Sequence, residues 1–215
     1  MASAHDPARC TVGWIAPMPL ELTAAVGMLE EHTTHSVPED DTLYRIGRIG
    51  GHYVVMAVCP RIGTHPAATL LANMRRSFPN IQHVLVVGIA GAVPCYGVDL
   101  QEQITLGDVV VSIPQRGKGG VVHYEFGAWE TENRLSVSEH TLHPSDALLT
   151  AVNNVRSDHD MLEGSRISQY LRELRGRLNA RVRPKFEDPG DEHDHLFDKS
   201  ALTWTVGDSV TDFVT

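Results

Sequence analysis

The stretch HVLVVGIAGAVP, His83 to Pro94, constrains the fold more than any other part of the chain. Apolar at every position from Val84 to Val87, it has no polar face to offer water, so it reads as a central strand covered on both sides. Helices must then lie above and below a sheet. At its end Gly88 and Gly91 deliver a turn whose backbone can approach a flat or compact ligand. A second constraint comes from TLYRIGRI and HYVVMAVCP, which meet at Gly50-Gly51, a dipeptide that supplies the positive φ angles of a tight hairpin. One antiparallel pair is therefore required within the sheet. CTVGWIAPMP supplies a further strand, Thr11 to Ala16, stopped by Pro17 and Pro19, and LGDVVVSIP another. Helical spacing appears at Leu22, Ala25, Val26 and Leu29, again at Ala67, Leu70, Leu71 and Met74, and in segments near Asp146 to Val155 and Arg166 to Leu178. Strands alternating with helices predict a three-layer α/β sandwich with a mixed central sheet. HTTHSVPEDD, QRGKGGVVHYEFG with the polar connection after it, and FEDPGDEHDHLFDKS read as loops.

Composition removes several function classes. Eighteen basic against 27 acidic residues give a formal charge of -9, which opposes nucleic-acid binding, because such affinity depends on cations displacing counterions from phosphates. The basic run YLRELRGRLNARVRPK, Tyr170 to Lys185, carries Ile167, Tyr170, Leu171, Leu174 and Leu178 at helical spacing, so it reads as a helix with a solvated basic face. No run approaches the roughly 18–20 apolar residues of a membrane span, and MASAHDPARC lacks the basic flank and apolar segment of a secretory signal. A cytoplasmic protein is expected. Cys10, Cys59 and Cys95 are odd in number and widely spaced, which argues against a disulfide framework and a zinc site. His193 and His195 lie among acids with no second ligand cluster, so no metal is expected.

Ligands of open α/β sheets sit beyond the carboxyl ends of the strands, which selects Met18 to Glu21, Arg61 to His65, GIAGAVP and Ser112 to Gly120. The glycines of GIAGAVP do not form GxGxxG and no helix opens after them, so a dinucleotide fingerprint is rejected; a Walker-type phosphate loop is absent as well. Glu21, at a helix start between Leu20 and Leu22, reads either as a general base at a pocket rim or as an acid complementing the helix dipole. His123, Tyr124 and Phe126 either stack on a base or end a strand.

The blocks VGWIAPMPLELTAAVGMLEE, YRIGRIGGHYVVMAVCP, IGTHPAATLLANMRRSFPNI, VVGIAGAVP, LGDVVVS and GGVVHYEFG stand in the order and spacing of the nucleoside phosphorylase superfamily. The chain most resembles the fungal nucleoside phosphorylase-like domains at the front of NACHT, ankyrin or tetratricopeptide-repeat proteins. The resemblance divides it into a disordered start, 1–10, a phosphorylase-like domain, 11–200, and a divergent tail, 201–215. It implies cleavage of the N-glycosidic bond of purine nucleosides, with Glu21 helping to position the nucleophile. Gly63, Thr64, Gly88, Ile89, Ala90, Gly91, Tyr124 and Phe126 would contact a nucleoside or nucleotide. No cofactor is implied, phosphate being the one candidate co-substrate, and a homo-oligomer is expected.

Two departures qualify the resemblance. Bacterial-type phosphorylases carry a phosphate-binding arginine and serine in the block where this chain has Val86 and Ile89. A phosphate dianion without such donors is strongly disfavoured in a dry pocket, so hydrolysis is favoured over phosphorolysis, with Arg61 the remaining candidate charge. The family's Met-Glu element and its leaving-group aspartate find no match, and Asp208 and Asp212 lack the setting of such an acid. The expectation from these gaps is a domain incomplete at its C-terminal part. The alternative function is then a catalytically inactive module that binds nucleosides or partners in a fungal NLR-like system.

Overall fold

The computed structural model describes residues 6–92, 104–114, 119–121, 127–131, 134–137, 143–161, 166–188 and 190. Its centre is a five-stranded mixed sheet in the order β2-β3-β4-β1-β5, built from β1 (Val12–Ala16), β2 (His32–Val37), β3 (Asp40–Ile49), β4 (His52–Val58) and β5 (His83–Val86). β1 pairs parallel with β4 on one side, Val12 opposite Val54, and parallel with β5 on the other, Val12 opposite His83. β3 pairs antiparallel with both β2 and β4. The Gly50-Gly51 hairpin forms as expected, with Gly50 at φ +56°, and the sheet is mixed for that reason.

Helices cover both faces. α1 (Pro19–Met28) packs Ala25, with Leu29 just beyond its end, against Val54 and Met56, while α2 (Thr64–Ser77) puts Leu70 and Met74 on the opposite face with Ile15, Tyr44, Ile46 and Val55. Alternation of side chains along β4 sends Val54 and Met56 one way and Val55 and Ala57 the other, which is why this strand is apolar throughout. Gly13 lets α2 close on β1: a Cβ there would stand 2.8 Å from the Met74 sulfur. The helices α3 (Asp146–Met161) and α4 (Ile167–Arg177) occupy the two segments with helical spacing.

α4 docks on the end of α1. Leu174 fills the space that a side chain at position 27 would need, and one nitrogen of the Arg177 guanidinium donates to the carbonyls of Gly27, Met28 and Leu29 at 3.3, 3.2 and 3.0 Å. These are carbonyls that a helix end leaves without intrahelical partners. Arg175 donates to the Phe186 carbonyl and Arg183 to the Leu178 carbonyl. Three arginines of the basic run are thus spent on backbone acceptors, where the sequence suggested only a solvated face.

Five further expectations change. HTTHSV, read as loop, is edge strand β2, with Thr33, His35 and Val37 half-buried and the residues between them exposed; polar composition hid an alternation of period two. β5 is not central: among the described residues it pairs with β1 alone, and Val86 is 65% exposed. Leu106–Pro114 forms no ladder; it begins in a turn where Asp108 accepts the Thr105 N–H, and Val109, Val110 and Val111 are exposed. The polar connection contains a hairpin, β6 (Gly127–Thr131) with β7 (Arg134–Val137). In the segment given as a disordered start, Pro7–Arg9 is a 3-10 turn capped by Asp6, and Cys10 is fully buried.

The only buried charge among the described residues is Asp40, at the start of β3. Its carboxylate accepts from Tyr44 Oη at 2.7 Å, Ser77 Oγ at 2.6 Å and Thr42 N–H at 3.0 Å, tying the sheet to the end of α2. Burial pushes its pKa up, but the hydrogen bonds from Ser77, Tyr44 and Thr42 outweigh burial and hold it at about 2. Because the folded value lies below the unfolded one, the stabilisation is present above pH about 4 and is lost as pH falls toward about 2. Asp40→Asn is expected to destabilise by about 2 kcal/mol at neutral pH. Urea melts should show the gap from the parent protein closing between pH about 4 and 2.

Candidate functional site

β1, β4 and β5 run parallel, so their carboxyl ends share one edge of the sheet. Met18–Glu21 leave β1 there, Cys59–Thr64 leave β4, and Gly88–Gly91 leave β5. Pro17 and Pro19 end β1 and start α1 within three residues, since Pro fits the first helical turn but not a strand interior. That places Glu21 at the third helical position. Its Oε2 accepts the Met18 N–H at 2.6 Å, as the N3 acid of a capping box does.

The other carboxylate oxygen reaches across to β5. Glu21 Oε1 accepts the Ile89 N–H at 2.8 Å, and Gly88 lies so close that an added Cβ would stand 2.5 Å from Oε1 and 2.9 Å from the carboxylate carbon. The glycine is needed here for close approach, not for a positive φ. The structure therefore brings Glu21, Gly88 and Ile89 together, which are the elements that sequence analysis singled out separately. Ala90 and Gly91 continue the turn and are exposed, with nothing within 4 Å of a Cβ built on Gly91.

Gly63 and Thr64 occupy the same sheet edge at the start of α2, Gly63 at φ +133°, a backbone conformation that favours glycine. No hydrogen bond joins them to Glu21 among the described residues. Beside them lies a depression of about 240 Å³ lined by Pro60, Arg61, His65, Pro66, Thr69 and neighbours, so Arg61 faces this hollow. Tyr124 and Phe126 fall outside the described residues, as do His123, His193 and His195. Among the described residues no group of three or more His, Cys, Asp or Glu could hold a metal ion.

Sequence reasoning passed over one member of this edge. Cys59, 7% exposed, follows β4 and donates its N–H to the Ala16 carbonyl at 2.9 Å. Its thiol pKa is raised by burial and then by the negative charge of Glu21. The parallel register was the signal that would have found it: Val58 stands opposite Ala16, which brings residue 59 level with the strand end that leads to Glu21.

Residues 11–165 match the sequence profile of the phosphorylase superfamily. A nucleotide-binding leucine-rich repeat (NLR)-like protein of the fungus Hyaloscypha variabilis is 38% identical over 172 residues, 78% of this chain and 16% of that protein. The chain thus spans less than a fifth of this relative. Among solved structures, the MTA/SAH nucleosidase of Streptococcus pneumoniae in complex with 8-aminoadenine is 30% identical with a TM-score of 0.36, over 42% of this chain and 38% of its own. A putative 5'-methylthioadenosine/S-adenosylhomocysteine nucleosidase of Borrelia burgdorferi bound to adenine is 18% identical with a TM-score of 0.44, over 71% and 60%. Futalosine hydrolase of Helicobacter pylori is 16% identical with the same TM-score, over 71% and 60%.

Gly88→Ala is expected to push the Glu21 carboxylate off both amides and to destabilise the fold by roughly 1–3 kcal/mol. Gly91→Ala, where the space is open, should cost under about 0.5 kcal/mol. Paired urea denaturation curves of the two variants check the contrast.

Proposed function

The chain belongs to the phosphorylase superfamily, and from that premise we propose that it cleaves the N-glycosidic bond of purine nucleosides, with water as the nucleophile. The observation that carries the reading is the convergence of Glu21 with the Gly88–Ile89 turn at the carboxyl edge of the sheet. A carboxylate has about four acceptor positions, and two are filled by the Met18 and Ile89 amides. The remaining two can receive a water proton. Glu21 would orient that water and take its proton as the oxygen bonds to the anomeric carbon and the carbon–nitrogen bond breaks. Water adds across the bond, the sugar gaining hydroxyl and the base gaining hydrogen.

Substrate contacts are assigned to Gly88, Ile89, Ala90 and Gly91, with Gly63 and Thr64 on the neighbouring loop and Tyr124 and Phe126 as candidates to flank the base. Hydrolysis is preferred to phosphorolysis because the end of β5 and the turn after it offer Val86 and Ile89 where a phosphate would need cationic or hydroxyl donors. Arg61 lines the separate hollow beside α2. A second reading is favoured by the NLR-like relative: a nucleoside-binding module that does not turn over, working inside a larger receptor-like chain.

The two readings separate in one experiment. Free-base release from adenosine, inosine, guanosine, uridine, methylthioadenosine and ATP, followed by chromatography with and without phosphate, is expected to show release from purine substrates that phosphate does not accelerate. Glu21→Gln should lower turnover by about 10²-fold or more. Release only with phosphate would overturn hydrolysis, and no release from a folded sample would favour the binding module.

A further inference from the structure

We propose that Glu21 is also a positioning residue: its carboxylate, rather than strand pairing, fixes the Gly88–Ala92 turn against the start of α1. The ladder between β5 and β1 ends at Val86, and the last backbone bond beyond it is Val87 N–H to the Ile15 carbonyl at 3.0 Å. Past that point the turn has no strand partner among the described residues. Ile89 is 71% exposed and Gly91 has open space around it, so packing does little to hold this segment. Among the described residues the one hydrogen bond reaching Gly88–Ala92 is that from the Ile89 N–H to Glu21 Oε1 at 2.8 Å.

The anchor is itself held. Glu21 Oε2 is bound to the Met18 N–H, and Gly88 leaves the carboxylate just enough room to lie flat against the turn. The side chain is thereby fixed at both oxygens between two strand exits. Cys59 lies on the β4 side, its thiol pKa raised by burial and then by the Glu21 charge. One side chain then sets two geometries at once, the direction in which the turn leaves β5 and the place of its own remaining lone pairs. A shift of the turn moves the carboxylate, and a shift of the carboxylate frees the turn.

The inference rests on the proposed function only for what the turn contacts; the clasp itself is testable without substrate. Amide hydrogen exchange resolved by NMR reads it directly. In Glu21→Ala, exchange at Ile89 is expected to accelerate roughly tenfold or more, while Leu85 and Val87, on the side of β5 whose N–H groups face β1, keep their rates. Glu21→Gln keeps one acceptor oxygen and should restore part of the protection, because its amide nitrogen cannot accept from the second N–H. A purely structural role would move all of β5 together. Gly88→Ala keeps the carboxylate but displaces it, so it provides the same readout should Glu21→Ala fail to fold. Unchanged Ile89 exchange in the folded variants, or acceleration spread evenly along β5, overturns the proposal. Absence of base release by the parent protein would count against the function and leave the clasp standing.

Discussion

Everything at the carboxyl edge of the sheet depends on β1 being paired on both sides by parallel neighbours. Parallel pairing carries three chain exits to the same end of the sheet, and it requires crossover connections long enough to hold helices. α1 and α2 are parts of those connections, lying on opposite faces. A strand flanked in this way exposes no backbone edge, and Ile15 and Ala16 are buried almost completely. The proline-bounded exit of β1 then has little freedom, and Glu21 inherits its position from that restriction. The buried Asp40 cluster does comparable work in the antiparallel half of the sheet, held by Thr42 and Tyr44 of β3 and joined to α2 through the Ser77 hydroxyl.

The sheet's central strands were legible because burial on two faces leaves a plain signature. Val54 to Ala57 are apolar at every position, and the Gly50-Gly51 turn marks where the chain reverses. Edges are harder to read. β2 buries one face only partly and uses Thr and His to do so, so its composition resembles a loop. The error over β5 has the same origin in reverse: apolar residues imply that something covers a strand, but they do not say whether it is a neighbouring strand or a helix. Val109 to Val111 mislead in the same way, being β-branched and yet outside any ladder.

Within the site, residue types were readable and contacts were not. Glu21 drew attention as an acid at a helix start, and Gly88 as a glycine at a strand end, yet 67 residues of sequence separate them. Only the parallel register joins the two, and with it the buried Cys59, whose thiol reads in sequence as an ordinary core residue. Arg177 shows the same limit. Helical spacing located α4 correctly, but nothing in RELRGR indicates that one of its arginines reaches back 148 positions to a helix end.

That distant contact bears on how such a chain can vary. α1 is ten residues long, about 15 Å of helix, fastened at its first turn through Glu21 and at its last through Arg177. Gly27 is small because Leu174 lies over it, so a larger residue at either place tilts the strut that carries the carboxylate. Sequence drift in α4 is therefore not free, although α4 lies away from the sheet edge where a ligand would sit: compensating changes have to arise in two segments at once. A recombination boundary drawn between α1 and α4, convenient as the intervening loops look, would separate partners that have to be inherited together.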